Sequence, residues 1–186
     1  MIPSIRRFSL LALALAMPLA ASAADYKVGP GSTLGFSGKF QGQQFDGTFG
    51  TFDATISYDP ANLATAKFDV TVDVASAKTG DNDRDTALPG ADFFDASRFP
   101  KAHYVTTGFT KDAKGNVMAN GNLTLHGITK PVALKVVFSP AAGGARLMVT
   151  GSLKRLDFGV GGGEYKDTST IADDVLVNGT LNLQPK

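Results

Sequence analysis

Phe68-Asp69-Val70-Thr71-Val72-Asp73-Val74 puts four apolar side chains on one parity and three polar ones on the other. Successive side chains of an extended strand point to opposite faces, so this stretch reads as a strand with one apolar and one wet face. The same period of two continues on both sides. Phe52, Ala54, Ile56 and Tyr58 alternate with Asp53, Thr55 and Ser57 upstream. Downstream, Val132, Leu134, Val136 and Phe138 alternate with Ala133, Lys135 and Val137. Leu147, Val149, Gly151 and Leu153 form another set, and Val175, Val177, Leu181 and Leu183 a last one. Leu34, Phe36 and Phe40 share a parity around Gly38, Val105, Thr107 and Phe109 follow His103, and Leu123 and Leu125 precede the turn-like His126-Gly127. Alternation of this one-sided kind marks an antiparallel sheet.

Turn signals separate the runs: Asp59-Pro60, Lys114-Gly115-Asn116, Ser139-Pro140 through Gly143-Gly144, and Asn178-Gly179. Asn120-Gly121 reads either as a turn or as a bulge inside a longer strand. About eight strands with short links predict an all-β fold, an antiparallel eight-stranded barrel, with a sandwich as the alternative. Residues 79–102 break the period. There Asp81 or Asn82 is placed to cap a short helix running to Leu88, and Pro89-Gly90 to stop it. Asp92-Phe93-Phe94-Asp95 fits a further single turn. A short helical insertion between two strands is thus expected, in position to plug one barrel end.

The chain has 186 residues, 43% of them hydrophobic, which suits one globular domain. Its 18 basic and 17 acidic side chains provide no broad basic field for nucleic acid. With no cysteine, disulfides, thiolate metal sites and a cysteine nucleophile are excluded. Arg6 and Arg7, the apolar run Leu10 to Met17 and the small-residue pattern Ala21-Ser22-Ala23 together read as a signal peptide over residues 1–23. That apolar run is too short to span a bilayer, which needs about 20 residues. The mature domain is then 24–186, exported most simply to a bacterial periplasm.

Little in the sequence points to catalysis. The two histidines, His103 and His126, lie in separate strands, and no nucleophile elbow or zinc-binding helix motif is present. Asp81, Asp83, Asp85 and Asp92 have the spacing of a calcium loop, but Thr86 stands where the loop needs glycine and Arg84 repels a cation. Gly159-Val160-Gly161-Gly162-Gly163 opens no helix and lacks a following lysine, so a flexible or bulged connection is expected rather than a phosphate cradle. No metal site is predicted. The most suggestive feature is aromatic: Phe36, Phe40, Phe45, Phe49 and Phe52 crowd one region, and Phe93, Phe94 and Phe99 the insertion. Such rings either fill a core or line a cavity, since eight-stranded barrels do both.

Four ordered segments resemble the YceI family of bacterial periplasmic proteins. They are Gly50-Thr51-Phe52-Asp53-Ala54 leading to Tyr58-Asp59-Pro60, and Thr79-Gly80 through Arg84-Asp85 with Asp92-Phe93-Phe94-Asp95 and Phe99-Pro100. The third and most diagnostic is Gly121-Asn122-Leu123-Thr124-Leu125-His126-Gly127-Ile128-Thr129-Lys130-Pro131-Val132. Arg155-Leu156-Asp157-Phe158-Gly159-Val160 with Gly163-Glu164-Tyr165 completes the set. The resemblance implies a lipocalin-like antiparallel barrel with an elongated apolar interior, without a catalytic residue set. It implies no required cofactor, an isoprenoid lipid or a quinone as the bound occupant, and association of some members with cytochrome b561-type membrane proteins.

Apolar parity and insertion position then nominate Phe36, Phe40, Phe45, Phe49, Phe93, Phe94, Phe138 and Phe158 as ligand-lining residues. The leading expectation is a non-enzymatic binding or carrier protein for a hydrophobic small-molecule lipid. An enzyme acting on such a lipid, using His103, His126 or Asp157, ranks second. A partner-binding protein with a filled core ranks third. Neither a monomer nor a dimer is favoured.

Overall fold

The period of two becomes the pleat of a closed sheet. The computed structural model describes residues 24–186; the signal peptide expected over 1–23 lies outside the described residues. The strands are β1 (Ala24–Val28), β2 (Thr33–Phe40), β3 (Gln43–Phe49), β4 (Phe52–Tyr58), β5 (Lys67–Asp73) and β6 (Ala77–Lys78). After the helix α1 (Asn82–Ala87) come β7 (Lys101–Lys111), β8 (Val117–Leu125), β9 (Ile128–Ala141), β10 (Gly144–Lys154) and β11 (Asp174–Pro185). Every pairing is antiparallel.

Eleven strands make an eight-stave barrel because three staves are each built from two pieces. β1 and β2 lie end to end along one edge of β11. β4 and β3 extend this arrangement on their far side, pairing with β1 and β2 respectively. β5 pairs β4 and β6 pairs β3, with a 3-10 turn at Val74–Ser76 between them. β7 to β11 then follow as a meander, and β11 closes the ring against β1 and β2. Closure removes exposed sheet edges.

The inward parity is the one read from the sequence, with two corrections. In β7 the inward residues are Ala102 and Tyr104, whereas His103 faces outward. The pairing with β8 then shifts between Thr106 and Gly108, opposite Asn120 and Gly121. The extra residue, Thr107, inverts the parity and brings Phe109 inside, so Val105, Thr107 and Phe109 do not form one inner row. The irregularity suggested by Asn120-Gly121 is thus a bulge, carried by the partner strand. The second correction concerns Asn178-Gly179, which is no turn but the middle of β11. A Cβ at Gly179 would come within 3.0 Å of Val149 Cγ2, so its small size relieves crowding inside the wall. The turn-like His126-Gly127 is a tight turn, both residues at positive φ (51° and 74°), linking β8 to β9, as Gln41-Gly42 (49° and 78°) links β2 to β3.

The interior divides into two layers. At one end Tyr58 packs on Phe68, Phe109 and Phe138 at centroid distances of 5.8, 5.9 and 4.9 Å. Phe68 meets Phe109 edge-on at 4.9 Å, and Tyr26 covers Phe138 at 6.0 Å. This aromatic floor closes that end. At the other end sits the expected insertion. Asp81 caps α1, its carboxylate accepting the Arg84 N–H at 3.0 Å. Asp85 ties the helix back by accepting from the Thr79 N–H and Oγ1–H at 2.6 and 2.8 Å. Leu88, Phe93 and Phe94, which follow, turn their side chains toward the barrel. No helix among the described residues is long and apolar enough to cross a membrane.

Candidate functional site

Between floor and insertion lies a cavity of about 220 Å³. Its wall is built by the inward residues of nearly every stave. They include Leu34 and Phe36 from β2, Phe45 and Phe49 from β3, and Val70 and Val72 from β5. Leu123, Leu134, Val149 and Val177 line it from β8, β9, β10 and β11. Ile56, Phe68, Leu147 and Leu181 mark its depth, at the edge of the aromatic floor.

Five of the eight nominated phenylalanines line this space: Phe36, Phe45, Phe49, Phe93 and Phe94. Four of them form a continuous aromatic wall. Phe36 meets Phe45 edge-on at 6.4 Å, Phe36 lies 5.2 Å from Phe49, and Phe49 lies 6.2 Å from Phe94. Phe93 packs against Tyr165 with the rings tilted, centroids 4.9 Å apart. The other three lie elsewhere. Phe40 has the right parity but ends β2 beyond the wall, 38% exposed and bridged to Ile171. Phe138 belongs to the floor, against Tyr58 and Tyr26. Phe158 is buried beside the wall, and its carbonyl hydrogen-bonds His126 Nδ1 at 3.1 Å. Parity sorts inside from outside but cannot place a residue along the barrel axis, which separates these three from the rest. The aliphatic half of the wall carries the same alternation and could have been nominated on that ground.

Polar groups near the cavity are turned away from it. Tyr104 lies over Gly121, where a Cβ would come within 2.6 Å of the ring, and its hydroxyl donates to the carbonyls of Ala119 and Val132 at 2.9 and 3.3 Å. Burial pushes its phenol up to about 12. Arg155, only 4% exposed, is the residue that sequence reasoning missed. Nε donates to Ala172, Nη1 to Val160 and Gly161, and Nη2 to Tyr165 and Ile171, all backbone carbonyls at 2.6 to 3.1 Å. All five guanidinium N–H groups are thereby used. Burial lowers the pKa of Arg155, and the Asp173 charge opposes that effect. The glycine run 159–163 supplies part of this cradle, with Gly159, Gly161 and Gly163 at positive φ. It presents carbonyls to a cation, the opposite polarity from a phosphate loop.

The residues considered for chemistry are not gathered at the cavity. His103 Nε2 pairs with Asp69 Oδ1 at 2.7 Å on the outer face. His126 sits in the β8–β9 turn against the Phe99 ring, and Asp157 pairs with Lys130 at 3.2 Å. Asp81 and Asp85 are engaged by the helix cap and by Thr79, and among the described residues no group of three acidic or histidine side chains is placed to hold a metal.

Known proteins share this architecture. A UPF0312 protein of Vibrio cholerae is 35% identical over 178 residues, covering 89% of this chain and 94% of its own. The crystal structure of Burkholderia cenocepacia BcnA superposes with a TM-score of 0.76 at 32% identity, over 81% of this chain and 94% of that one. A domain from Saccharophagus degradans, described as polyisoprenoid-binding and implicated in plant cell wall breakdown, shares the fold at a TM-score of 0.66. It is 16% identical, over 88% of this chain and 99% of that one. The family model of the YceI-like domain matches residues 26–183, nearly the whole barrel, and the chain belongs to that family.

Proposed function

We propose that this protein is a binding or carrier protein that holds an isoprenoid lipid, a polyprenyl chain or the tail of a quinone, inside its barrel. The observation that carries the reading is the apolar cavity between the Phe36–Phe49–Phe94 wall and the aromatic floor. A buried cavity of about 150 Å³ with an apolar lining stays dry and takes up benzene. By the same measure 220 Å³ accommodates about two isoprene units, with the rest of a longer tail emerging at the insertion end. Each buried CH₂ contributes about 0.8 kcal/mol, less the several kcal/mol of association and chain ordering. A few isoprene units therefore suffice for useful affinity. The polyisoprenoid-binding relative supports the same ligand class. The leader-like residues 1–23 support a periplasmic setting, where a sleeve of this kind would carry an insoluble tail between membranes. A cytochrome b561-type membrane protein remains the expected partner.

The direct test is displacement of a hydrophobic fluorophore from the barrel by prenyl lipids, compared with the variant Val177→Phe. Val177 faces the cavity, so the larger ring fills the sleeve without entering packed core. The wild type should release the probe to prenyl lipids, and Val177→Phe should bind both at least about ten-fold more weakly while unfolding at a similar midpoint. Equal displacement from both proteins would place the ligand elsewhere and overturn the reading.

A further inference from the structure

A second cavity, of about 250 Å³, lies along the β2–β3 hairpin and is lined by Phe40, Gln41, Gln43, Gln44, Phe45 and Arg84. Phe45 belongs to both cavities. Its ring lies over Gly38, where a Cβ would come within 2.8 Å of Cζ, and meets Phe36 inside the sleeve. The Arg84 guanidinium carbon stands 4.8 Å from the centroid of that same ring. A single aromatic side chain therefore separates a dry apolar sleeve from a polar vestibule.

The vestibule is rich in hydrogen-bond donors. Three side-chain amides and one guanidinium line it, and a carboxylate stands behind one of the amides, Gln44 Nε2 donating to Asp46 Oδ1 at 3.3 Å. Arg84 Nε donates to Thr79 Oγ1 at 3.3 Å and Nη2 stands 3.6 Å from Asp81 Oδ2, which holds the group in place. A guanidinium has five N–H groups in a planar fork, so donors remain for a ligand. The helix bearing it is fixed at its start by the Asp81 cap and by Asp85 on Thr79. A donor positioned in advance loses little on binding.

We infer that this vestibule is the head-group site: a group rich in hydrogen-bond acceptors, either a quinone carbonyl or a phosphate oxygen, sits against Arg84 and the Gln41, Gln43 and Gln44 amides, with its tail passing Phe45 into the sleeve. This deepens the proposed function and rests on it. Arg84 is the main donor, because a charge-assisted bond is about twice as strong as a neutral one. The Phe45 ring is the sill over which tail and head group divide.

The test compares farnesene, a bare hydrocarbon, with farnesyl phosphate and a short-tailed ubiquinone, on the wild type and on Arg84→Gln and Gln43→Ala. The head-bearing probes should bind the wild type more tightly than farnesene. Arg84→Gln should weaken a head-bearing probe about ten-fold or more, and Gln43→Ala about three-fold, with farnesene unchanged in both. A loss largest for the phosphate and shrinking in salt identifies an anionic head group, whereas a salt-independent loss for the quinone identifies a carbonyl. Farnesene weakened as much as the head-bearing probes, or no loss in either variant, overturns the vestibule. Should Arg84→Gln lose its circular-dichroism signature, Gln43→Ala decides alone, since Gln43 is exposed at the hairpin. If farnesene binds and the head groups add nothing, the vestibule fails while the sleeve stands. If none of the three probes binds the wild type, the sleeve itself fails.

Discussion

Arg155 is a charge buried without a carboxylate in contact, held by five backbone carbonyls that lie between five and 17 residues further along the chain. Its side chain fastens the 155–173 segment across the barrel end. Arg155→Gln should cost about 2–4 kcal/mol, because it leaves several of those carbonyls unpaired in a dry place. Arg155→Lys should recover little of this, since an ammonium offers three donors and no planar fork. A lowered urea midpoint at unchanged m-value is the measurement. Tyr104 makes a second prediction at this scale. Its pKa rises from 10.0 to about 12 through burial, so the folded state holds the phenolic proton more tightly than the unfolded chain. The corresponding stability is present in full below pH 10 and is lost as pH rises toward 12. Tyr104→Phe should remove that part of the alkaline decline, seen as a flatter stability profile between those pH values. Neither residue's burial was legible in the sequence. The parity of β5 or β9 gives an inner residue at once, but β7 was read on the parity of Val105 and Phe109, which puts Tyr104 outside. Carbonyl partners leave no side-chain signature, so nothing in the sequence marks Arg155 as buried.

Among the elements, the strands of unbroken alternation were read correctly and those with an interruption were not. β4, β5, β9 and β10 carry one parity from end to end. β7 carries two, because Thr107 is an extra residue opposite a pair that has none. A glycine in a turn-like context can mark a turn, as Gly143 does, or can thin a wall, as Gly179 after Asn178 does inside β11. Sequence alone does not distinguish them, since the difference lies in what stands across the strand. The division of the phenylalanines between wall and floor was hidden for a similar reason. The floor itself makes a prediction. Phe68 is shared by the floor and the cavity lining, so it sets the depth of the sleeve. Affinity for prenyl hydrocarbons of increasing length should level off once the tail reaches it. In Phe68→Leu the plateau should move to a longer tail, at a stability cost of about 1–1.5 kcal/mol. Titration of a length series on both proteins checks this, and an unchanged plateau would remove Phe68 from that role.

Over the whole molecule, the same barrel is packed solid at one end and left open inside at the other. The solid end is closed by aromatic rings packed around Tyr58. The open end has a covering of its own in the 79–100 insertion and the 155–173 segment, whose Leu88, Phe93 and Val160 line the cavity rather than fill it. A barrel whose purpose was structural would gain by filling that space, since each buried methylene contributes about 0.8 kcal/mol. Side chains that line this space without filling it suit an occupant that brings its own apolar surface. The most direct measurement is native mass spectrometry of the protein purified from a bacterial periplasm, followed by organic extraction of whatever it carries. A stoichiometric added mass that extracts as a prenyl lipid, and that is absent from Val177→Phe, is the expected result. A bare protein mass that stays unchanged after incubation with prenyl quinones and polyprenyl phosphates would contradict the isoprenoid sleeve.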